Sequence, residues 1–295
     1  MIRTLFVFLT LLGLSWFALV DFSGSRPTAP VNPARQRIVS LAPSFTEILL
    51  YLGAESRLVG CTDYCEGVDA SVPRLGTFMN PKFEELERIR PDVVLMVASQ
   101  GQSELARGLE RAGIAVEVHP AESIDDLRAA MRAIGESVGA LGRADAFVTR
   151  LDRALSAPPP TPGAPHVLFV VDRQPRLFVA GGTSFVHRML RAAGAHNSAG
   201  DYVEPWRPIS IEDVVRRDPD LIVDASFGSA EDGEAFWSKF RDVLPPAREG
   251  EIVPFPPVRC GVQLPDWIEA LREIVAEHHR RRTRATTGED RRAGG

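Results

Sequence analysis

The chain has 295 residues, of which 44% are hydrophobic and 25% charged, with a formal net charge of −5. These proportions belong to a folded water-soluble protein and exclude a disordered, collagen-like or wholly membrane-embedded chain. An acidic balance has nothing to neutralise a phosphate backbone with, so nucleic acid is not an expected partner.

Arg3 precedes an apolar run from Leu5 to Val20, and no acidic residue appears before Asp21. This is the layout of a secretory signal, with an uncleaved anchor as the alternative; the run is a little short for a span of about 20 residues. Residues 1–25 are therefore read as signal peptide or anchor, and 26–35, rich in proline, as a tether. The expected location is periplasmic or extracytoplasmic.

From residue 36, strand and helix patterns alternate. Arg37 to Leu41 reads as a strand. Ser44 and Glu47 then have the spacing of a capping box before a helix that Gly53 stops. A strand at 58–60, a helix at 81–90 with Asn80 as N-cap, a strand at 93–97, a helix at 103–112 and a strand at 114–118 follow. A helical stretch from Ser123 to Leu155 is interrupted near Gly139 and ends at a run of prolines. The alternation then resumes: strand 166–171, helix 184–193, helix 211–217, strand 221–223, helix 236–242, strand 251–253 and helix 266–278. The fold class is α/β: two three-layer α/β lobes with mostly parallel sheets, joined by one long interlobe helix. The boundaries are 36–142 for the N-terminal lobe, 143–157 for the interlobe helix and 158–282 for the C-terminal lobe, with 283–295 a disordered tail.

An internal repeat carries the most information. Phe78 to Val94 overlays Trp206 to Ile222 without a gap, at the offset that separates Glu84 from Glu212. In each copy an aromatic stands six residues before the glutamate, and Pro-Asp follows seven residues after it (Pro91-Asp92, Pro219-Asp220). Duplication of one unit accounts for this. Glu84 and Glu212 then fall in the first turns of equivalent helices. Phe78 and Trp206 fall in the loops before them, where a parallel sheet opens into a crevice. Each feature also has a plainer explanation. A first-turn glutamate is stabilised by the helix dipole alone by roughly 0.3–1 kcal/mol, and either aromatic could be a core residue.

The chain resembles the periplasmic substrate-binding proteins with a helical interlobe backbone, which serve ABC importers of cobalamin, haem and ferric siderophores. The resemblance rests on Arg37 to Glu47, Leu52 to Tyr64 and the two Glu…Pro-Asp helices, and is nearest to the cobalamin-binding members. It implies a corrinoid captured in the interlobe cleft, with haem or a ferric siderophore as the alternative metal chelate. It implies no intrinsic cofactor, no catalytic residue, a monomer, and a permease dimer as partner. By the same resemblance Phe78 and Trp206 line the cleft, with Tyr64 as a third aromatic, and Glu84 and Glu212 dock into permease arginines. Phe78 stands where the cobalamin protein carries an indole. Asp172 at a strand end and Arg259 in a loop could supply polar ligand contacts.

The weaker patterns stay open. Gly181-Gly182 before a helix suits either an anion cradle or a tight turn. Cys61, Cys65 and Cys260 allow one disulfide in an oxidising compartment, and Cys65 with Cys260 would cross the lobes. The six histidines lack metal-ligand spacing. An exported hydrolase or lyase using Glu84, Glu212 or Asp172 is the competing class; it needs two carboxylates converging within about 5–10 Å.

Overall fold

The computed structural model describes residues 37–77, 80–98 and 102–287. The signal or anchor at 1–25, the tether at 26–35 and Phe78 lie outside the described residues. Among the described residues no helix is long and apolar enough to cross a membrane.

The first sheet contains β1 (Ile38–Ser40), β2 (Leu58–Cys61), β3 (Val93–Val97) and β4 (Ala115–His119) in the order β2-β1-β3-β4, with every pairing parallel. Helices α1 (Pro43–Tyr51), α2 (Phe83–Ile89) and α3 (Gln102–Arg111) make the crossovers. The second sheet contains β5 (His166–Asp172), β6 (Leu177–Ala180), β7 (His196–Asn197), β8 (Trp206–Ile209), β9 (Leu221–Asp224) and β10 (Ile252–Pro254). Its order is β10-β9-β5-β6-β8, with β7 beside β5; the β5–β6 and β6–β8 pairings are antiparallel and the others parallel.

Strand alternation builds the layers. In β3, Val93 and Leu95 enter the central core while Val94 and Met96 enter an outer one with Leu86 and Leu109. In β5, Val167 and Phe169 point to the same central core, and Leu168 and Val170 to the outer core of the second sheet. Both faces of each sheet are covered, so these strands read as continuous apolar runs. The central core passes between the sheets through α4 (Ile124–Ser137), α5 (Leu141–Leu155), α6 (Phe185–Ala192) and α10 (Leu264–Thr287). A Cβ on Gly135 of α4 would meet the Ala144 Cβ of α5 at 2.6 Å, which shows how closely these two helices approach.

The long helix between the lobes is α5 (Leu141–Leu155), which overlaps the 143–157 segment read from the sequence. It does not stand alone. Arg272 of α10 donates from Nε to Ala192 O and from Nη2 to Ala154 O, tying α10 to α6 and α5. The last helix runs on to Thr287, past His278; Arg280 and Arg281 pair with Glu277, and Arg282 reaches Asp220 near the start of β9. These ion pairs hold the arginine-rich stretch 280–282 on the helix and against the second lobe.

Three local assignments are corrected. Pro43 occupies the first turn of α1, so Ala42 is the N-cap and Ser44 caps nothing. In α2 the N-cap is Lys82, without a side-chain cap, because Pro81 is drawn into a bridge with Gly76; Asn80 is not the cap. Residues 177–180 and 206–209 form antiparallel strands, so Trp206 begins a strand rather than lying in a loop.

Candidate functional site

The repeat seen in sequence is a repeat in space. Helices α2 and α7 (Ile211–Arg217) are the same length, and each ends on a left-handed residue, Arg90 at φ 50° and Asp218 at φ 44°. Each is pinned beneath by one fully buried residue, Leu86 or Val214. After each, the aspartate of Pro-Asp accepts a backbone hydrogen bond at the head of the lobe's first strand: Arg37 N to Asp92 Oδ2 at 3.0 Å, and His166 N to Asp220 Oδ2 at 2.9 Å. The ion pairs Arg88–Glu85, at 2.5 Å, and Arg216–Asp213, at 2.8 Å, also fall at matching positions. This agreement comes from tertiary contacts as well as from helix propensity, because each aspartate ties the helix end to a strand start.

Glu84 and Glu212 are both second residues of their helices and both exposed. The Glu212 carboxyl is held below the usual carboxylate range by its own backbone N–H and by the Ser210 hydroxyl. Ser210 and Asp213 form a full capping box, which fixes the start of α7. Two acidic side chains thus stand in open water at equivalent helix starts, where the helix dipole favours their charge.

Tyr64, in the loop after β2, is 62% exposed. Trp206 is 39% exposed, with its ring edge-on to Phe185 at 5.5 Å. It pairs with Ala180, whereas Ile209 at the other end of β8 pairs with Leu177. The indole therefore stands on the edge strand, back from the carboxyl end of β5. The antiparallel β6 inserted between β5 and β8 puts it there. Phe227, just beyond the end of β9, is 76% exposed and was not singled out in the sequence; its place directly after a buried parallel strand was the available signal. Asp172 ends β5, and its Oδ1 accepts the Gln174 backbone N–H at 3.1 Å.

Arg259 lies between β10 and α10 and is engaged across the two halves. Its Nε donates to Glu47 Oε1 of α1 at 2.6 Å, and its Nη2 also pairs with that oxygen. Glu47 serves this contact instead of a capping box. Its second oxygen, Oε2, is buried without a partner beside Gly261 and Gln263. The glycine pair is a packing device, not an anion cradle. Gly181 N and Gly182 N donate to Pro205 O and Tyr202 O at 2.9 and 2.8 Å. A Cβ at Gly181 or Gly182 would lie 2.0 or 2.2 Å from the carbonyl oxygens of Glu204 and Gly200. The three cysteines are buried free thiols.

The chain belongs to the periplasmic binding protein family, which matches residues 38–234. That family consists of substrate-binding proteins of transport systems. Among relatives, an uncharacterized ABC transporter substrate-binding lipoprotein of Bacillus subtilis is 29% identical, with 88% of this chain and 86% of that protein covered. A vitamin B12-binding protein of Vibrio parahaemolyticus is 21% identical, over 75% of this chain and 81% of that one. The crystal structure of a periplasmic heme binding protein from Pseudomonas aeruginosa superposes with a TM-score of 0.66 at 29% identity, covering 82% of this chain and 92% of that one.

Proposed function

We propose that this chain is an extracytoplasmic substrate-binding protein that captures a corrinoid between its two lobes and delivers it to the permease dimer of an ABC importer. The observation that carries the reading is the spatial repeat that sets Glu84 and Glu212 at the same position of equivalent helices, one on each half. A symmetric permease offers the same pocket twice, and a duplicated receptor meets it with two matched carboxylates. The lobes are residues 36–142 and 158–282, with 143–157 between them. Tyr64, Phe78 and Trp206 supply aromatic faces to a large flat guest, and Asp172 and Arg259 supply polar contacts. No step of chemistry is assigned to any of these residues; the protein acts as a monomeric receptor, not as an enzyme. The two helices α5 and α10 packed between the sheets favour a preformed cleft that closes little. The same architecture suits haem or a ferric siderophore, and the likeness to the Pseudomonas aeruginosa protein supports that second reading.

Calorimetric titration of the full chain with cyanocobalamin, cobinamide, haemin and a ferric hydroxamate tests the assignment. Saturable one-to-one binding of both corrinoids is expected. Binding of haemin or the hydroxamate with no heat from either corrinoid transfers the protein to the second reading. No binding of any of the four ends both.

A further inference from the structure

The second lobe carries a half-open pocket of about 360 Å³ whose lining residues all fall between Arg173 and Phe255. It sits where β5, β9 and β10 end, beneath α8 (Ala230–Trp237) and α9 (Pro245–Glu249). Volumes of about 300–1,000 Å³ are typical of small-molecule sites. Its apolar wall includes Trp237, Phe255, Ile252 and Ala247.

Two buried polar atoms on this wall have no partner. The Arg173 side chain is only 7% exposed, yet its Nη1 makes no hydrogen bond. Ser226 is buried, and its Oγ is likewise without a partner. The rest of the guanidinium is loosely held: Nη2 donates to Phe227 O at 3.3 Å, Nε lies 3.5 Å from Asp224 Oδ2, and the group sits 6.0 Å from the Phe236 ring centre. Asp224 by contrast is well served, taking the Trp237 indole N–H at 2.7 Å and the Ser226 backbone N–H at 3.1 Å. A buried guanidinium short of acceptors carries a desolvation cost that an acceptor in the cavity relieves.

The electrostatics select the acceptor. Arg173 and Asp224 already form a charge-neutral buried pair, and Arg241 and Glu234 pair with each other at 3.6 Å in the exposed part of the lining. A carboxylate on the buried Arg173–Asp224 floor of the pocket would leave that floor with a net negative charge, which is costly where water is excluded. A neutral carbonyl would not. We infer that this cavity is a binding site for a primary carboxamide on a small apolar body: its carbonyl oxygen accepts from Arg173 Nη1, its NH₂ donates to Ser226 Oγ, and the body lies against Trp237 and Phe255. The site is formed by the second lobe alone, so it stands or falls separately from the corrinoid reading.

The test follows the Trp237 indole N–H resonance of the ¹⁵N-labelled full chain during titration with benzamide and, in parallel, benzoate. Benzamide is expected to shift that resonance saturably and benzoate to bind about tenfold more weakly or less, the cost of one mismatched buried polar group. Gly233→Ala places a methyl 3.1 Å from Arg173 Nη1, crowding the atom that the guest's oxygen must reach, and favours the helix it stands on. It is expected to weaken benzamide by about tenfold or more while leaving the remaining spectrum folded. Arg173→Met should abolish the shift; because it strands Asp224 and can unfold the lobe, Gly233→Ala is the deciding variant. The inference is overturned if benzamide gives no saturable shift, which would leave a cavity holding water only. It is equally overturned if benzoate binds as tightly, or if Gly233→Ala leaves affinity unchanged.

Discussion

Arg259→Met breaks the Glu47–Arg259 ion pair, by which a side chain proposed to touch ligand also bridges the halves. Glu47 is 11% exposed and Arg259 47% exposed, so the pair is neither a surface bridge nor a buried one. Exposed pairs are worth about 0.2–1 kcal/mol, and stranding one partner of a buried pair costs about 3–5 kcal/mol. Glu47 stays nearly buried after the substitution, with both oxygens then short of donors, so a loss of about 2 kcal/mol is expected. Glu47→Gln should cost less, because an amide left alone is cheaper than a carboxylate. The double variant should recover about 1–2 kcal/mol of the summed losses, the coupling expected for groups in direct contact. Urea unfolding of the four proteins, with a common slope, reads this cycle. A coupling indistinguishable from zero would refute the claim that this pair ties α1 to the loop before α10.

Gly182→Ala drives a methyl against the Gly200 carbonyl, a backbone atom that cannot swing aside, and should lower stability by about 3 kcal/mol or more in thermal melts; a melt unchanged from wild type contradicts the packing role of this turn. Ser210→Ala removes the cap of α7 and should cost about 1 kcal/mol, whereas Asn80→Ala, at a residue that does not cap α2, should cost much less. Cys65 Sγ lies 3.1 Å from both Thr46 Oγ1 and Thr62 Oγ1, and hydrogen bonding from Cys61 and these hydroxyls draws its ionisation down from 9.0 to about 6, while the neighbouring Cys61 thiol is pushed up. The depressed group adds stability that is fully present above pH 9.0 and is lost as the pH falls through about 6. Thiolate absorbance near ~240 nm should therefore show a step close to pH 6 that Cys65→Ser abolishes. A thiolate signal appearing only above pH 9.0 sinks this reading.

Sequence made the repeat visible because its signals are local and gapless: aromatic, glutamate, Pro-Asp and apolar strand recur in one register. The buried parallel strands were equally plain, being short β-branched runs between helical periods. What escaped depends on residues far apart. Ser44 and Glu47 match a capping box by spacing, yet Pro43 sets the helix start and Glu47 reaches Arg259 across 212 residues. The antiparallel strands β6 and β8 are four residues each, and β8 contains Pro208, so they are too short for a period to register. The Arg173–Asp224 pair and its cavity arise only when β5, β9 and α8 come together, and no spacing along the chain announces that.

Delivery is the claim that joins the repeat to the family. The chain with Glu84→Arg and Glu212→Arg together, assayed with its permease in proteoliposomes for uptake of labelled cyanocobalamin, tests it most directly. The account expects binding in solution equal to wild type and uptake reduced to the level seen without receptor. Uptake that survives both reversals, or a loss of binding in solution, would contradict it.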